Sequence, residues 1–113
     1  MRRIVYAGTA FYTGDALAEA VMEYARALAR HGIADTVFVP GRTMQGERDR
    51  IEILLGPASQ IVSEPADLDG AEILDPALVR RLTDKTAELA PLKPAAEPSD
   101  TSAGAPESFD DLG

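Results

Sequence analysis

Residues 13–33 read TGDALAEAVMEYARALARHGI, and this stretch decides the fold class. Leu17, Val21, Tyr24 and Leu28 recur at spacings of four, three and four, which puts them on one face of a helix. Ala20, Ala25 and Ala27 lie beside them and allow close packing. The opposite face carries Asp15, Glu19, Glu23, Arg26 and Arg30, acidic near the start and basic near the end, as the helix dipole prefers. Thr13 is the expected N-cap, with Asp15 in the first turn. Gly32 is the expected left-handed stop, and Ile33 is expected to pack back on Leu28. A helix with one apolar face needs a layer to bury it against, and the flanking sequence supplies strands.

Upstream, residues 2–12 are rich in β-branched and aromatic residues around Ala7-Gly8-Thr9. They read as one bent strand or as a hairpin turning at Gly8, of which the hairpin fits better. Downstream, Asp35-Thr36-Val37-Phe38-Val39 is a strand expected to end at Pro40-Gly41. A polar loop over residues 42–49 leads to a second strand, Arg50-Ile51-Glu52-Ile53-Leu54-Leu55, making an antiparallel hairpin. The turn Gly56-Pro57-Ala58-Ser59 precedes a short return strand, Gln60-Ile61-Val62-Ser63, stopped by Pro65. Residues 64–75 form an acidic connection without a basic residue. Asp75-Pro76 then starts a second helix, an N-cap followed by proline at the first helical position. Leu74 and Val79 are spaced for a hydrophobic staple. Leu78, Leu82 and Leu89 give that helix its buried face, and it ends before Pro91. The order β(β)αβββα predicts an α+β fold, a small antiparallel sheet of about three to five strands with both helices on one face. The single domain covers residues 1–90.

From residue 91 the composition changes to Pro, Ala, Ser, Thr and acids. Such a segment has too little apolar surface to offset the entropy lost on ordering, so residues 91–113 are expected to be a disordered acidic tail. The chain carries 11 basic and 19 acidic side chains, a net charge of −8. This lacks the cationic footprint on which nucleic-acid binding depends and disfavours anionic membranes. Arg42, Arg48 and Arg50 form a local basic cluster, but Glu47 and Asp49 alternate with them. No stretch approaches the roughly 18 apolar residues of a membrane span. Without cysteine there are no disulfides, thiolate metal sites or thiol nucleophiles. A cytosolic protein is expected, with no metal and no cofactor.

Candidate sites are sparse. His31, the single histidine, falls in the last turn of the first helix, where it suits the dipole. Glu19 and Glu23 share the solvent face. Asp67-Leu68-Asp69-Gly70-Ala71-Glu72 departs from calcium-loop spacing, since glycine stands fourth and the twelfth position is Leu78. Two partner-binding candidates remain. One is the turn Gly56, Pro57, Ser59 and Gln60, a rigid loop with a hydroxyl and an amide beside an apolar strand. The other is the tail tip, where Phe109 and Leu112 stand among Asp110 and Asp111 in the form of a short linear motif.

At Tyr6-Ala7-Gly8, Thr13-Gly14-Asp15, Tyr24-Ala25 and Leu55-Gly56-Pro57-Ala58-Ser59-Gln60 the chain resembles a loose set of small uncharacterised actinobacterial proteins, over residues 3–65. The resemblance implies an actinobacterial source and carries no activity. The sequence therefore favours a non-enzymatic interaction or regulatory module with a protein partner, a basic one being suited to its charge, and is compatible with self-association. Two other classes stay open. One is a small-molecule-binding domain or minor enzyme using Tyr6, Tyr12, Ser59 and Gln60. The other is an acidic, antitoxin-like partner of a basic protein.

Overall fold

The computed structural model describes residues 1–89, so the tail and its tip at residues 109–112 lie outside the described residues. Strands β1 (Arg2–Tyr6) and β2 (Thr9–Thr13) precede helix α1 (Asp15–His31). Strands β3 (Asp35–Thr43), β4 (Arg48–Leu55) and β5 (Ile61–Pro65) follow, and helix α2 (Pro76–Leu89) closes the order. The five strands form one antiparallel sheet in the order β4-β3-β2-β1-β5. This is the expected α+β class. The open choice at residues 2–12 resolves as a hairpin, with Tyr6 paired to Thr9 across Ala7 and Gly8, both at positive φ. Positive φ at both central residues is the two-residue turn whose twist suits antiparallel strands.

The helix face is as its spacing predicts. Leu17, Val21, Tyr24 and Leu28 are all buried, with Ala18, Ala20, Ala25 and Ala27 around them. They pack on Ile4, Phe11, Val37, Val39, Ile53 and Leu55 from the sheet and on Leu78 and Leu82 from α2. Gly32 takes the left-handed conformation, and the Gly32 and Ile33 amides donate to Ala29 O and Leu28 O, both at 3.2 Å. The Ile33 side chain nevertheless stays 45 % exposed.

Three local expectations need correction. Thr13 does not cap α1. It ends β2, fully buried, and its hydroxyl donates to Pro40 O at 2.8 Å, extending the β2–β3 contact where backbone pairing stops. Gly14 takes the cap position, and the Asp15 amide donates to Glu72 Oε2 at 2.6 Å. The cap is thus supplied by the acidic connection 57 residues away. Only glycine fits at 14, because an added Cβ would stand 2.0 Å from Ile73 O.

Strand β3 does not stop at Pro40-Gly41 but runs to Thr43, with Pro40 opposite Arg50 and Gly41 opposite Asp49. Gly41 is needed because β2 crosses close over it, with Tyr12 O 2.7 Å from where a Cβ would be. The hairpin loop accordingly shrinks, Thr43 N donating to Glu47 O at 2.8 Å. The return strand pairs with β1, at the far edge of the sheet. The staple fails as well: Leu74 is 71 % exposed, while its neighbour Ile73 is buried in the core. The Asp75 cap itself is present, accepting from the Leu78 amide at 3.1 Å.

The position of β5 has a geometric consequence. Residues 56–60 join one edge of the sheet to the other, and part of that short connection is a turn, with Ser59 N donating to Gly56 O at 3.1 Å. A flat sheet of this width would separate its edges by roughly 19 Å at ~4.8 Å per strand spacing. The sheet is therefore curled, and α1 lies along its opening in contact with β1, β4 and β5 alike. Leu28 sits at the centre of this packing, 1 % exposed. Leu28→Ala should lower stability by about 2–5 kcal/mol, read as a fall in melting temperature. An unchanged melting temperature would contradict the packing described.

Candidate functional site

The curled edges meet at a seam, and the Tyr6 side chain spans it. Its hydroxyl donates to Leu54 O at 2.7 Å and accepts from Leu54 N at 2.9 Å, so one side chain does for β4 what a neighbouring strand would do. Ser59 Oγ also donates to Leu54 O, at 2.9 Å. Outside the seam lies a depression of about 530 Å³. Val5, Tyr6, Leu54, Ser59, Gln60 and Val62 line it.

The structure thus gathers three of the residues singled out from sequence, Tyr6, Ser59 and Gln60, and leaves Tyr12 out. Tyr12 lies in a cross-strand row between Arg3 and Arg42, and it does not line the depression. Gly56 packs closely on Ala34, a Cβ there coming 3.0 Å from the Ala34 Cβ, while Pro57 faces solvent. Both hydroxyls at the seam are spent on backbone groups of Leu54. Among the described residues neither hydrogen-bonds a histidine or a carboxylate, the partner that would make a hydroxyl nucleophilic.

Apolar surface is the larger feature of this region. Leu54 is 53 % exposed and Val62 54 %, and Phe38, at 49 %, is the diagonal neighbour of Leu54 because Thr36 pairs with Leu54 and Phe38 with Glu52. Sequence reasoning missed Phe38 and Val62, although a signal exists for Phe38. Val37-Phe38-Val39 and Ile53-Leu54-Leu55 are apolar at three consecutive positions. In a half-buried strand the middle one must point away from the core.

A second polar grouping ties the two helices to the sheet. Tyr24 OH donates to Asp35 Oδ2 at 2.5 Å, and Lys85 Nζ lies 3.4 Å from the same oxygen and 5.8 Å from the Tyr24 ring centroid. Burial raises the Tyr24 pKa, and the adjacent Asp35 carboxylate raises it further, so the phenol keeps its proton and donates. The hydrogen bond from Tyr24 holds the Asp35 carboxyl below the usual carboxylate range, against partial burial and with help from Lys85. Elsewhere Arg26 pairs with Glu23 at 2.9 Å, and Arg42 donates to Asp69 O at 3.1 Å, which leaves the expected arginine cluster partly tied down. No helix of the described residues is long and apolar enough to cross a membrane.

The Asp35 linkage has a definite sign. A carboxyl whose folded pKa is depressed contributes stability above its unfolded value, near pH 4, and loses it as pH falls through the folded value. The melting-temperature gap between wild type and Asp35→Asn should therefore be widest above about pH 5 and narrow below about pH 4. A gap constant from pH 7 to pH 2 would show that the carboxylate charge does not matter.

Comparison with protein-family models, with curated proteins and with solved structures finds no match to this chain.

Proposed function

We propose that this chain is a non-enzymatic protein-interaction module that meets its partner on the seam face. Phe38, Leu54 and Val62 are the anchors around Gly56, Pro57, Ser59 and Gln60. The observation that carries this reading is the run of half-exposed apolar side chains on backbone already fixed by the Tyr6 and Ser59 bonds. Contiguous exposed apolar surface on a small domain is characteristic of an interaction site. Preorganised backbone lowers the entropy lost on binding. The Gln60 amide, exposed at the rim, supplies orientation.

The tail tip is the second contact. Phe109 and Leu112 enter a groove on the partner while Asp110 and Asp111 meet basic residues at its edge. A basic partner fits the net charge of −8, and with it the antitoxin-like variant of this reading. The small-molecule alternative draws less support, because the Tyr6 and Ser59 hydroxyls are engaged with Leu54 and Tyr12 does not line the depression. A cytosolic setting fits a chain without cysteine.

Crosslinked affinity capture from the source cell tests the reading, with full-length chain, Leu54→Glu and a chain ending at residue 106. The side chain of Leu54 is half exposed, so Leu54→Glu should keep its melting temperature while losing the partner that wild type captures. The shortened chain should capture the same partner more weakly. Undiminished capture by Leu54→Glu would overturn the proposal.

A further inference from the structure

The outer face of the β3–β4 hairpin carries a basic patch that strand geometry separates from its acidic neighbours in sequence. Val37, Val39, Ile53 and Leu55 are buried, so the alternate residues Pro40, Arg42, Arg48 and Arg50 fall on the opposite face of the sheet. Asp49, between two arginines in sequence, stands opposite Gly41 on the other face, and Glu47 precedes the strand. Arg48 lies directly across from Arg42, Arg42 lies across from Tyr12, and Arg50 lies across from Pro40. Like charges set opposite each other on a sheet cost stability. Among the described residues none of these three arginines ion-pairs with a carboxylate. Arg42 rests on a neutral acceptor, Asp69 O, at 3.1 Å. Glu64 is taken by Arg3 at 2.9 Å, and Glu52, opposite Phe38, bounds the patch on that side.

The chain itself carries a segment of matching chemistry. Glu107-Ser108-Phe109-Asp110-Asp111-Leu112 holds three carboxylates and no base around one aromatic ring. Tyr12 and Pro40 give that ring an apolar seat on either side of Arg42. The next two residues of an extended segment, at ~3.3 Å each, then fall over Arg48 and Arg50. Helix α2 ends at Leu89, so residues 90–106 join it to this segment. They span up to roughly 56 Å, more than the path halfway round a small domain about 30 Å across. A free polyanion meets a repulsive field, because residues 1–89 hold 10 basic and 14 acidic side chains. A tethered segment is presented at an effective concentration of millimolar order and needs no such approach.

We infer that residues 107–112 dock on the chain's own outer sheet face, with Phe109 on Tyr12 and Pro40 and the acids on Arg42, Arg48 and Arg50. The contact lies beside the seam anchors Phe38 and Leu54 and does not depend on the reading given for them. A partner that takes the tip must draw it off these arginines.

Paramagnetic relaxation in the full chain tests the inference. The sequence has no cysteine, so Gly113→Cys gives a single position for a nitroxide label. The amides of Tyr12, Arg42, Arg48 and Arg50 should lose intensity to the label, while those of Val79 and Thr83 on the helix face keep theirs. The loss should fade at about 0.5 M salt, where the Debye length is a few ångströms. It should vanish in Arg48→Glu/Arg50→Glu, and both positions are exposed, so that variant should keep its melting curve. A mixture of labelled chain with isotope-enriched unlabelled chain should show no loss. Equal loss on the sheet and helix faces would overturn the inference, as would a loss unchanged in the double variant. Loss in the mixture would assign the contact to a second copy instead. Absence of loss, with an added acidic peptide or single-stranded DNA shifting the arginine amides, would assign the patch to a foreign anion and overturn the inference as well.

Discussion

Helix α1 buries eight residues, from Leu17 to Leu28, and at about 100° per residue they cover roughly half of its circumference. A flat sheet covers a narrower stripe, so the rest of that arc needs walls on either side. The chain builds them by curling the sheet until β1, β4 and β5 all touch α1 and by laying α2 alongside. Curling brings Leu54 of the edge strand β4 within reach of Tyr6 on β1, with no backbone pairing between the edge strands β4 and β5. The Tyr6 hydroxyl answers this, giving and receiving one hydrogen bond each with Leu54. Curl, seam and seam depression thus follow from the width of one helix face.

The acidic connection of residues 64–75 is the other device on which the architecture rests. It looks like a solvated linker, yet it places Ile73 in the core and Glu72 at the start of α1. There Glu72 also meets the Met1 ammonium at 3.1 Å, with Asp15 at 3.0 Å. The two carboxylates hold that proton more firmly than an isolated amine would, Asp15 foremost. A negative group at a helix N-terminus is favoured by the dipole. Here it comes from far along the chain and so fixes the connection to the fold. The helix start, the Gly14 contact and the path of residues 64–75 form one unit.

Periodicity and punctuation made the elements legible. The α1 face, its glycine stop, the Asp75 cap and all five strands are signalled by local residues. Long-range geometry was not legible from the same residues. Nothing near Thr13 shows that its hydroxyl is taken by Pro40 O or that Glu72 will cap the helix, because both partners are remote in sequence. Pro40-Gly41 reads as a stop by local rules, but Gly41 is there to let β2 pass. The turn at residues 56–60 was visible as a candidate recognition loop. Its company was not, since the curl alone brings Tyr6 and Val62 to it. The apolar triplets were the one unused clue to Phe38.

The central claim is that a tyrosine hydroxyl replaces a strand at the sheet seam, and the Leu54 amide reports on it most directly. Native-state hydrogen exchange should find this edge-strand amide protected in wild type. In Tyr6→Phe it should exchange faster by up to about tenfold, matching a hydrogen bond worth about 0.5–1.5 kcal/mol, while the Ile53 and Leu55 amides stay as they were. Free exchange of Leu54 in wild type, or a rate untouched by the loss of the hydroxyl, would contradict the account.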